Sequence, residues 1–597
     1  MATSVFVGAF VFRFLSLPIG AGGEAFDNDQ FYHLSRARQT LLGELPFRDF
    51  NDPGIFLRIY TSTAFQILFG HNLLGELLLC TVLAAAATML AFLLAARVSR
   101  SRIAGLVAAS VIIITFMTPH NYPKIFVPLC ALWFLWSYID HRSRTNLVVA
   151  ALCTAVAFLF RHDYGIYVGL AAVATLVSVH WRDGRRRLLG RAGFYACAVG
   201  LFLLPFFTFV QLNGGILTYF GSTGDYIRRH IPEPARASWS PWGSISEGST
   251  AVVEDTDGAD RRTGRSLGQV REATARVWLA LLFWALPPMA LIVLFLQRLQ
   301  SRDGGRSSAF ERSGIVSLAV LAAAANPVLL REATASRLAD AAAPAAVLLA
   351  WLLHQLIGDL PARALPSRAR PRGAIFSKQR GQPVRVLRSG LPTLARACLA
   401  VALLLVTSVS LWIEAPFWDN LERSAILSGP SAVLARGSEV ARALATSPPI
   451  DVIAPPGQTG QGALIRYVSA CLKPTDRLLV AAQRAVNYRF YFYSGRGFAG
   501  GHPTLHPRLS SSLEDQQLTV TRLQMQSVPI VLVDLTQARP FESEFPLVHR
   551  YLMANHVAVQ ESSFGDARSN ATVFRVLVDR RIPPTGVYEP LSLPCFS

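Results

Sequence analysis

Apolar runs of about 20 residues recur through residues 1–413, and short arginine-rich loops separate them. A helix needs about 20 apolar residues to cross the hydrocarbon core of a bilayer, so each run predicts a membrane-spanning helix. The chain is 52% hydrophobic and only 16% charged, whereas soluble domains carry about 25% charged residues. The sequence therefore predicts a mainly α polytopic membrane protein and excludes an ordinary soluble protein.

Eleven spans are predicted, and the first of them has a signal peptide as its alternative. Residues 3–20 lack the basic flank and the small-residue cleavage site of a signal peptide, which favours a membrane helix. The one charge in this run, Arg13, either snorkels to the membrane interface or faces the protein interior. The other predicted spans are 73–96, 103–118, 124–139, 147–160, 164–180, 193–212, 276–296, 313–329, 341–357 and 394–413.

Arginines follow every even-numbered span, at 97–102, 142–144, 182–191, 298–312 and 363–388. Because cytoplasmic loops of membrane proteins are enriched in Lys and Arg, this alternation places the N-terminus in the cytoplasm. The loops 21–72 and 213–275 and the C-terminus are then extracytoplasmic. These basic loops explain the net charge of +19, and no basic stretch with interleaved aromatic residues indicates a nucleic-acid-binding surface.

Residues 414–597 lose the long apolar runs and predict a small extracytoplasmic domain on the periplasmic side, distinct from the transmembrane bundle at 1–413. Short runs rich in β-branched residues are typical of strands, and helical patterns lie between them. Strands that alternate with helices indicate an α/β fold. The predicted strands are 477–482, 529–534 and 571–578, and the predicted helices are 464–472, 518–525 and 544–554.

Two of the seven cysteines, Cys471 and Cys595, fall in this outer region. Disulfides form in oxidising compartments outside the cytoplasm, so these two can pair there. The other five lie in apolar segments, where cysteine is best interpreted as a small core residue. No Cys/His spacing is that of a zinc site.

Two carboxylates, Asp27 and Asp29, follow the first span within the outer loop 21–72. Carboxylates at the outer mouth of a helix bundle can act as a general base or bind a metal ion. The alternative is structural: Asp27 caps the helix predicted over 30–42, and Asp29 is a solvated first-turn residue. The loop also contains a segment predicted to be an interfacial helix, 55–69.

A second acidic pair, Asp49 and Asp52, lies about twenty residues further along the same loop. Asp52 precedes Pro53, and this combination is common in turns, which favours a structural role. Substrate binding is the functional alternative for both residues.

Three arginines lie at outer connections, where the positive-inside bias disfavours them: Arg161, Arg331 and Arg337. A guanidinium fork suits phosphate oxygens, so these residues are candidates for binding a lipid phosphate. Contact with lipid head groups or an ion pair with Asp340 would also explain them. Further polar candidates for donor or acceptor binding at the outer face are His33, His120 and Asp163, and Lys124 is a weaker one.

Three stretches follow one another in the outer loop: Asp29-Gln-Phe-Tyr32, Gly43 to Asp49, and a proline-led segment from Pro53 to Gly70 that ends in Phe-Gly. In this order they resemble the outer loop of the GT-C class of membrane glycosyltransferases. The resemblance is greatest to the bacterial relatives of protein O-mannosyltransferases and of lipid A aminoarabinose transferase, the glycosyltransferase family 39-like enzymes. Those families have an Asp-Glu pair, whereas Gln30 stands here in the place of the Glu, which leaves open how Asp27 and Asp29 divide their roles.

This resemblance implies an inverting transfer of a sugar, a hexose or pentose, from a polyprenyl-phosphate donor to an acceptor hydroxyl of a glycan, lipid or protein. The reaction would take place at the outer face of a bacterial cytoplasmic (inner) membrane. Asp29 or Asp27 would be the catalytic base. Arg331, Arg337 and Arg161 would stabilise the leaving phosphate, alone or with a divalent Mg or Mn ion held by Asp27 and Asp29.

Two other functions fit a membrane protein of this size. A transporter or flippase for lipid-linked sugars would place ionisable residues near the bilayer midplane and would often show repeated halves, but the spans are nearly free of charge and no repeat is visible. A non-catalytic scaffold or sensor would leave the acidic loop without a purpose.

A reporter fused after Ser597 tests the predicted topology. We expect an enzyme reporter that folds only outside the cytoplasm to be active there, because the alternating loop charges place this end outside. Activity of a cytoplasm-specific reporter at the same position would contradict the orientation.

Overall fold

The structure of the protein is a computed structural model. It describes residues 1–19, 28–52, 54–115, 118–221, 224, 267–300, 306–331, 335–357, 393–414, 417–450, 461–482, 487–506, 510–535, 540–564 and 572–597.

Eleven helices coincide with the eleven predicted spans, and two further helices lie in the first outer loop. The loop helices are α2 (Asn28–Leu41) and α3 (Phe56–Phe69). The others are α1 (Ala2–Leu15), α4 (Leu74–Ser99), α5 (Arg102–Ile114), α6 (Tyr122–His141), α7 (Arg144–Phe160), α8 (His162–His180), α9 (Arg185–Leu212), α10 (Leu267–Gln300), α11 (Arg306–Ala325), α12 (Ala335–Ile357) and α13 (Thr393–Glu414).

The helical nature of the predicted spans is confirmed, and the chain is a multi-pass membrane protein. Within the described ranges, seven segments are long and apolar enough to cross a membrane, on α4, α6, α8, α9, α10, α12 and α13. Helices α1, α5 and α7 are apolar but shorter. The predicted total of eleven crossings therefore stays a prediction.

Helix α12 runs through the centre of the bundle. In the 18-residue apolar stretch of α12, 83% of the residues are buried inside the protein, whereas the figure for α9 is 22%. Its alanine-rich start, with Ala341, Ala342 and Ala343 fully buried, lets neighbouring backbones approach closely, as small residues do at membrane helix contacts. The N-terminal end of α12 is thereby held in the middle of one end of the bundle.

A tight connection at Arg161 joins α7 to α8 at the same end of the bundle. Gly165 makes it possible, because a Cβ atom at this position would lie 2.6 Å from the Cα atom of Phe158. Only the absence of a side chain allows the two helices to come this close. The turn projects Arg161 and Asp163 beside the start of α12, with Tyr164 O–H 3.5 Å from the carbonyl oxygen of Asp340.

The C-terminal region has a mixed five-stranded sheet in the order β2-β1-β3-β5-β4. Strand β1 pairs in parallel with β2 and β3, whereas β3–β5 and β5–β4 are antiparallel. The strands are β1 (Arg477–Ala481), β2 (Gly497–Phe498), β3 (Ile530–Asp534), β4 (His556–Phe564) and β5 (Thr572–Asp579), and a hairpin pairs β6 (Gly586–Tyr588) with β7 (Leu593–Cys595).

Helices surround this sheet, and the predicted strands and helices of the region are all present. The helices are α14 (Phe417–Arg423), α15 (Pro430–Ala445), α16 (Gln461–Cys471), α17 (Asn487–Ser494), α18 (Leu513–Met525) and α19 (Pro546–Asn555), with a short turn at Phe541–Glu544. The boundary predicted at residue 414 and the extracytoplasmic location stay predictions.

The first outer loop packs into the hydrophobic core of this C-terminal region. Phe31 of α2 lies 5.8 Å from Phe492 and 5.0 Å from Tyr493, measured between ring centroids. Gln39 exchanges two hydrogen bonds with the backbone of Phe498, one 3.0 Å from its amide nitrogen and one 3.0 Å to its carbonyl oxygen. The loop is therefore held in place by residues more than 450 positions away, as the 459-residue separation of the latter pair shows.

The predicted pairing of Cys471 with Cys595 is confirmed. The two form a disulfide that joins the end of α16 to β7 across 124 residues of sequence. It closes the hairpin onto the sheet, where Phe596 N–H also donates to the carbonyl oxygen of Cys471.

Replacement of Cys471 and Cys595 by serine removes this cross-link. We expect the free energy of unfolding of the C-terminal region to fall by about 2–4 kcal/mol, because the unfolded chain regains the entropy of a long open loop. Thermal unfolding of the full-length protein in detergent measures the change. Cys197→Ser, at a free and exposed cysteine, is the matched control, and equal stability of all three proteins would contradict the role of the disulfide.

Candidate functional site

A cavity of about 400 Å³ lies between the end of the helix bundle and the C-terminal region. Helix α2, the starts of α6 and α12, the α7–α8 connection and a loop after β2 all contribute to its wall. The lining residues are Asp29, Tyr32, His33, Arg36, Asn51, Ile55, Arg58, His120, Asn121, Pro123, Lys124, Ala157, Phe160, Arg161, Tyr164, Arg337, Tyr488, His502, Pro503 and Thr504.

Helix α2 presents one face to this cavity. Asp29, His33 and Arg36 are four and then three residues apart, and this spacing places side chains one above another on a helix. The opposite face contains Phe31 and Leu34, which are buried in the core. The same apolar contacts that anchor α2 therefore orient its polar residues into the cavity.

An acid and two imidazoles meet at the cavity wall. Asp29 Oδ2 lies 3.7 Å from His120 Nε2, and the side chain of Asp29 is 60% exposed while that of His120 is 6% exposed. The ring of His33 lies 6.1 Å from that of His120. The carboxylate is thus open to an incoming molecule, with buried imidazoles beside it.

His33 is neutral at physiological pH. Burial, and then the positive charge of Arg58, lower its pKa well below the ordinary value. Its Nδ1 atom is buried and has no hydrogen-bond partner among the described residues. A neutral imidazole with a free nitrogen can accept a hydrogen bond from a bound molecule or donate one to it.

The basic side of the cavity is built on three ion pairs. Asp340 of α12 is buried, and its Oδ2 atom lies 2.5 Å from Lys124 Nζ and 3.7 Å from Arg337 Nη1. Arg161 Nε lies 2.9 and 3.0 Å from the two carboxylate oxygens of Asp163. Burial alone would lower the pKa of Arg161, but the charge of Asp163 raises it above its ordinary value. All three cations line the cavity.

The ion pair with Asp340, which was the structural alternative for Arg337, is therefore present. This ion pair leaves a donor of the guanidinium available, because Arg337 Nε is buried without a hydrogen-bond partner in the described part of the chain. The side chain of Arg331 and the whole of Asp27 lie outside the described residues, so their predicted roles stay predictions.

Asp49, Asp52 and Asp163 do not line the cavity. Asp52 Oδ1 accepts hydrogen bonds from the backbone N–H groups of Gly54 and Ile55 at the start of α3, and Tyr219 O–H donates to Oδ2 at 3.1 Å. Burial raises the pKa of Asp52. Asp49 accepts from Leu45 N–H at 2.8 Å. These contacts are those of turn and capping residues, and the predicted part of Asp49, Asp52 and Asp163 in substrate binding is untested.

Several cavity residues were not among the sequence candidates. Arg36 has a local signal, since it continues the face of Asp29 and His33 on α2. Arg58 is the one charged residue in the mostly apolar helix α3, and a lone charge in such a helix is a sequence signal of a polar site. Tyr488, His502 and Thr504 come from the C-terminal region and carry no local pattern that predicts a site. Only the tertiary contact brings them to the cavity.

No group of three or more His, Cys, Asp or Glu side chains that could hold a metal ion is present in the part of the chain that the structure describes. The predicted Mg or Mn site included Asp27, which lies outside that part. The metal therefore stays a prediction.

No protein-family model matches the chain, and no curated protein matches it. Several solved structures are similar to it. ArnT from Cupriavidus metallidurans bound to undecaprenyl phosphate is 14% identical over 96% of this chain and 97% of that chain, with a TM-score of 0.48. The Archaeoglobus fulgidus oligosaccharyltransferase is 13% identical in the apo form, over 95% and 74% of the chains, with a TM-score of 0.41.

The complex of the same oligosaccharyltransferase with Zn and sulfate is 12% identical over 95% and 72% of the chains, with a TM-score of 0.40. Both proteins belong to the GT-C class that the sequence resembles. A similarity this distant assigns no activity to the chain.

His502 makes the cavity wall sensitive to acid. Burial, and then the charge of Arg522, lower its pKa to about 4, whereas the unfolded chain has a value of about 6.5. Between these values the unfolded state binds more protons, so the stability that neutral His502 contributes is complete above pH 6.5 and is lost as the pH falls toward 4.

We expect His502→Gln to remove up to about 3 kcal/mol of this pH dependence. Unfolding midpoints of the full-length protein between pH 7.5 and pH 4.5 measure it. His549→Gln, at a histidine on α19 outside the cavity, is the control. A His502→Gln protein as acid-sensitive as the parent would contradict the assignment.

Proposed function

We propose that the protein is an inverting glycosyltransferase that moves a sugar from a polyprenyl-phosphate donor to an acceptor hydroxyl at the outer face of the bacterial inner membrane. One observation carries this proposal. A single cavity brings an exposed carboxylate, Asp29, together with three cations from other elements, Lys124, Arg161 and Arg337. Transfer from a phosphate leaving group needs both a base and positive charge.

Asp29 is the base in this mechanism. Its carboxylate is accessible to solvent at the rim of the cavity, so an acceptor hydroxyl can reach it. In the transfer, Asp29 takes the hydroxyl proton while the acceptor oxygen forms a bond to the anomeric carbon. The bond from that carbon to the phosphate oxygen breaks on the opposite face, and the phosphate leaves with the electron pair. Proton removal by a positioned side chain contributes about 10²–10⁴-fold in rate.

The cations stabilise the charge that develops on the leaving phosphate. Asp340 holds Lys124 and Arg337, and Asp163 holds Arg161, so the positive groups are in place before the donor binds. Preorganised charges lower the barrier because they need no rearrangement during the reaction. Arg331 precedes α12 by four positions and is proposed to contribute to the same phosphate.

The proposed orientation has support from two independent features. The arginine-rich loops alternate with the spans, and the disulfide between Cys471 and Cys595 needs an oxidising compartment. Both are consistent with a C-terminal region outside the cytoplasm, on the same side as the cavity it lines.

The location of the charges favours an enzyme over a transporter. Lys124 is the third residue of α6 and Arg337 the third of α12, so the cations of the cavity lie at the ends of their helices. A transporter would place such groups near the middle of the spans. A scaffold would have no need for a base and three cations around one cavity.

Asp29→Asn tests the proposal. We expect sugar transfer to fall at least 100-fold, because the amide cannot accept the acceptor's proton. Transfer from radiolabelled polyprenyl-phosphate hexoses and pentoses, with the full-length protein in liposomes and membrane extract as the acceptor source, measures it. Asp419→Asn, at an exposed carboxylate on α14, is the control for loss of one charge. Full activity of Asp29→Asn would overturn the assignment of the base to Asp29, and full activity of Asp27→Asn as well would leave neither carboxylate in that role.

A further inference from the structure

A buried ionic group lies directly behind the cavity. Arg58 of α3 is 2% exposed, Glu76 of α4 is 2% exposed and Gln30 of α2 is 1% exposed. Three helices therefore each place one polar side chain in a contact that water does not reach. Such burial of charge costs several kcal/mol per ion unless the geometry compensates for it, so the arrangement needs a purpose beyond stability.

Arg58 and Gln30 converge on the same carboxylate oxygen. Arg58 Nη2 lies 2.5 Å from Glu76 Oε1, and Gln30 Nε2 donates to that oxygen at 2.9 Å. One oxygen of Glu76 thus accepts from both a guanidinium and an amide. Arg58 also packs on the face of Tyr122, with its guanidinium carbon 4.5 Å from the ring centroid.

Arg58 is the member of this group that reaches the cavity, since it also lines the cavity wall. Its Nε and Nη1 atoms are buried and have no hydrogen-bond partner among the described residues. Buried donors in folded proteins nearly always have a partner. These two donors lie on different edges of the guanidinium, so one of them suits one oxygen of an anion in the cavity, and the positive charge of the group adds to the attraction.

The same contact gives a physical reason for Gln30. A glutamate at position 30 would bring a second carboxylate to within about 3 Å of Glu76, and two acids so close cannot both stay ionised. They would share a proton and compete for Arg58. The amide instead donates a hydrogen bond and leaves a single negative charge, which α4 provides through Glu76.

We propose that Arg58 binds an oxyanion in the cavity and that Glu76 and Gln30 are positioning residues that hold its guanidinium for this purpose. The identification of that anion as the phosphate of a lipid-linked donor rests on the proposed function. The anion site itself rests only on the contacts of these three residues.

Binding of a short-chain polyprenyl phosphate to the full-length protein in nanodiscs tests the proposal, with the matching polyprenol as the probe that lacks the phosphate. We expect Arg58→Gln to weaken binding of the phosphate at least 10-fold and to leave polyprenol binding unchanged, because only the charged group contacts the guanidinium. Arg442→Gln, at an exposed arginine on α15, is the control. Equal affinity of Arg58→Gln and the parent protein for the phosphate would overturn the proposal.

Changes to the carboxylate beside Arg58 test whether Glu76 and Gln30 position the guanidinium. Gln30→Glu adds a second acid beside Arg58, and Glu76→Gln removes the acid that pairs with it. We expect each single variant to weaken phosphate binding at least 5-fold at pH 7.5. In Gln30→Glu the loss should diminish as the pH falls, because a shared proton removes the extra charge.

The double variant Gln30→Glu/Glu76→Gln again has one acid and one amide around Arg58. We expect it to bind the phosphate within 3-fold of the parent protein. Melting temperatures of all variants show whether they fold. A folded double variant that binds no better than the weaker single variant would overturn the positioning roles, even if Arg58 itself binds the anion.

Two further arms distinguish this proposal from the proposed function. Asp29→Asn should lose transfer and keep the Arg58-dependent binding, so failure of the base assignment leaves the anion site intact. Competition by inorganic phosphate at an affinity equal to that of polyprenyl phosphate would support the anion site and overturn a lipid as its source.

Discussion

The packing of α2 against the C-terminal region is the contact on which the rest of the site depends. Phe31 and Phe50 of the first outer loop are fully buried beside Phe492, Tyr493 and Phe498. Burial of one aromatic side chain is worth roughly 1.5–3 kcal/mol, so these contacts fix α2 against its neighbours. Because one face of α2 is fixed against the C-terminal region, the direction of its other face is fixed too. That other face contains Asp29, His33 and Arg36.

The cost of charge in a low dielectric explains how the opposite wall is built. Lys124 with Asp340, Arg58 with Glu76, and Arg161 with Asp163 each pair a cation with a carboxylate. A lone buried charge would cost several kcal/mol, whereas a paired charge with hydrogen bonds is tolerated. In each pair the cation, and not the acid, lines the cavity. The protein thus presents positive charge to a ligand and keeps the compensating negative charge behind it.

Much of the fold follows from local patterns. The apolar runs predict helices because a membrane helix must satisfy its own backbone hydrogen bonds over the whole hydrocarbon thickness, and every predicted run is a helix in the described residues. The strands at 477–481, 530–534 and 572–579 follow from short β-branched runs. The number of crossings does not follow, because α1, α5 and α7 are apolar but shorter than the other spans.

The sequence by itself determined the residue types of the site and the face of the membrane on which they are expected, through the acidic outer loop and the misplaced arginines at 161 and 337. Only the tertiary structure decided which of them share a cavity. Asp52 turned out to close the turn before α3, while Arg58 and His502 came to line the cavity. The partner of Arg58, Glu76, is 18 positions away in sequence, and His502 shares the cavity with Asp29 and His33, which stand about 470 positions earlier. No local pattern encodes such contacts, since they depend on how separate elements bury their apolar faces against one another.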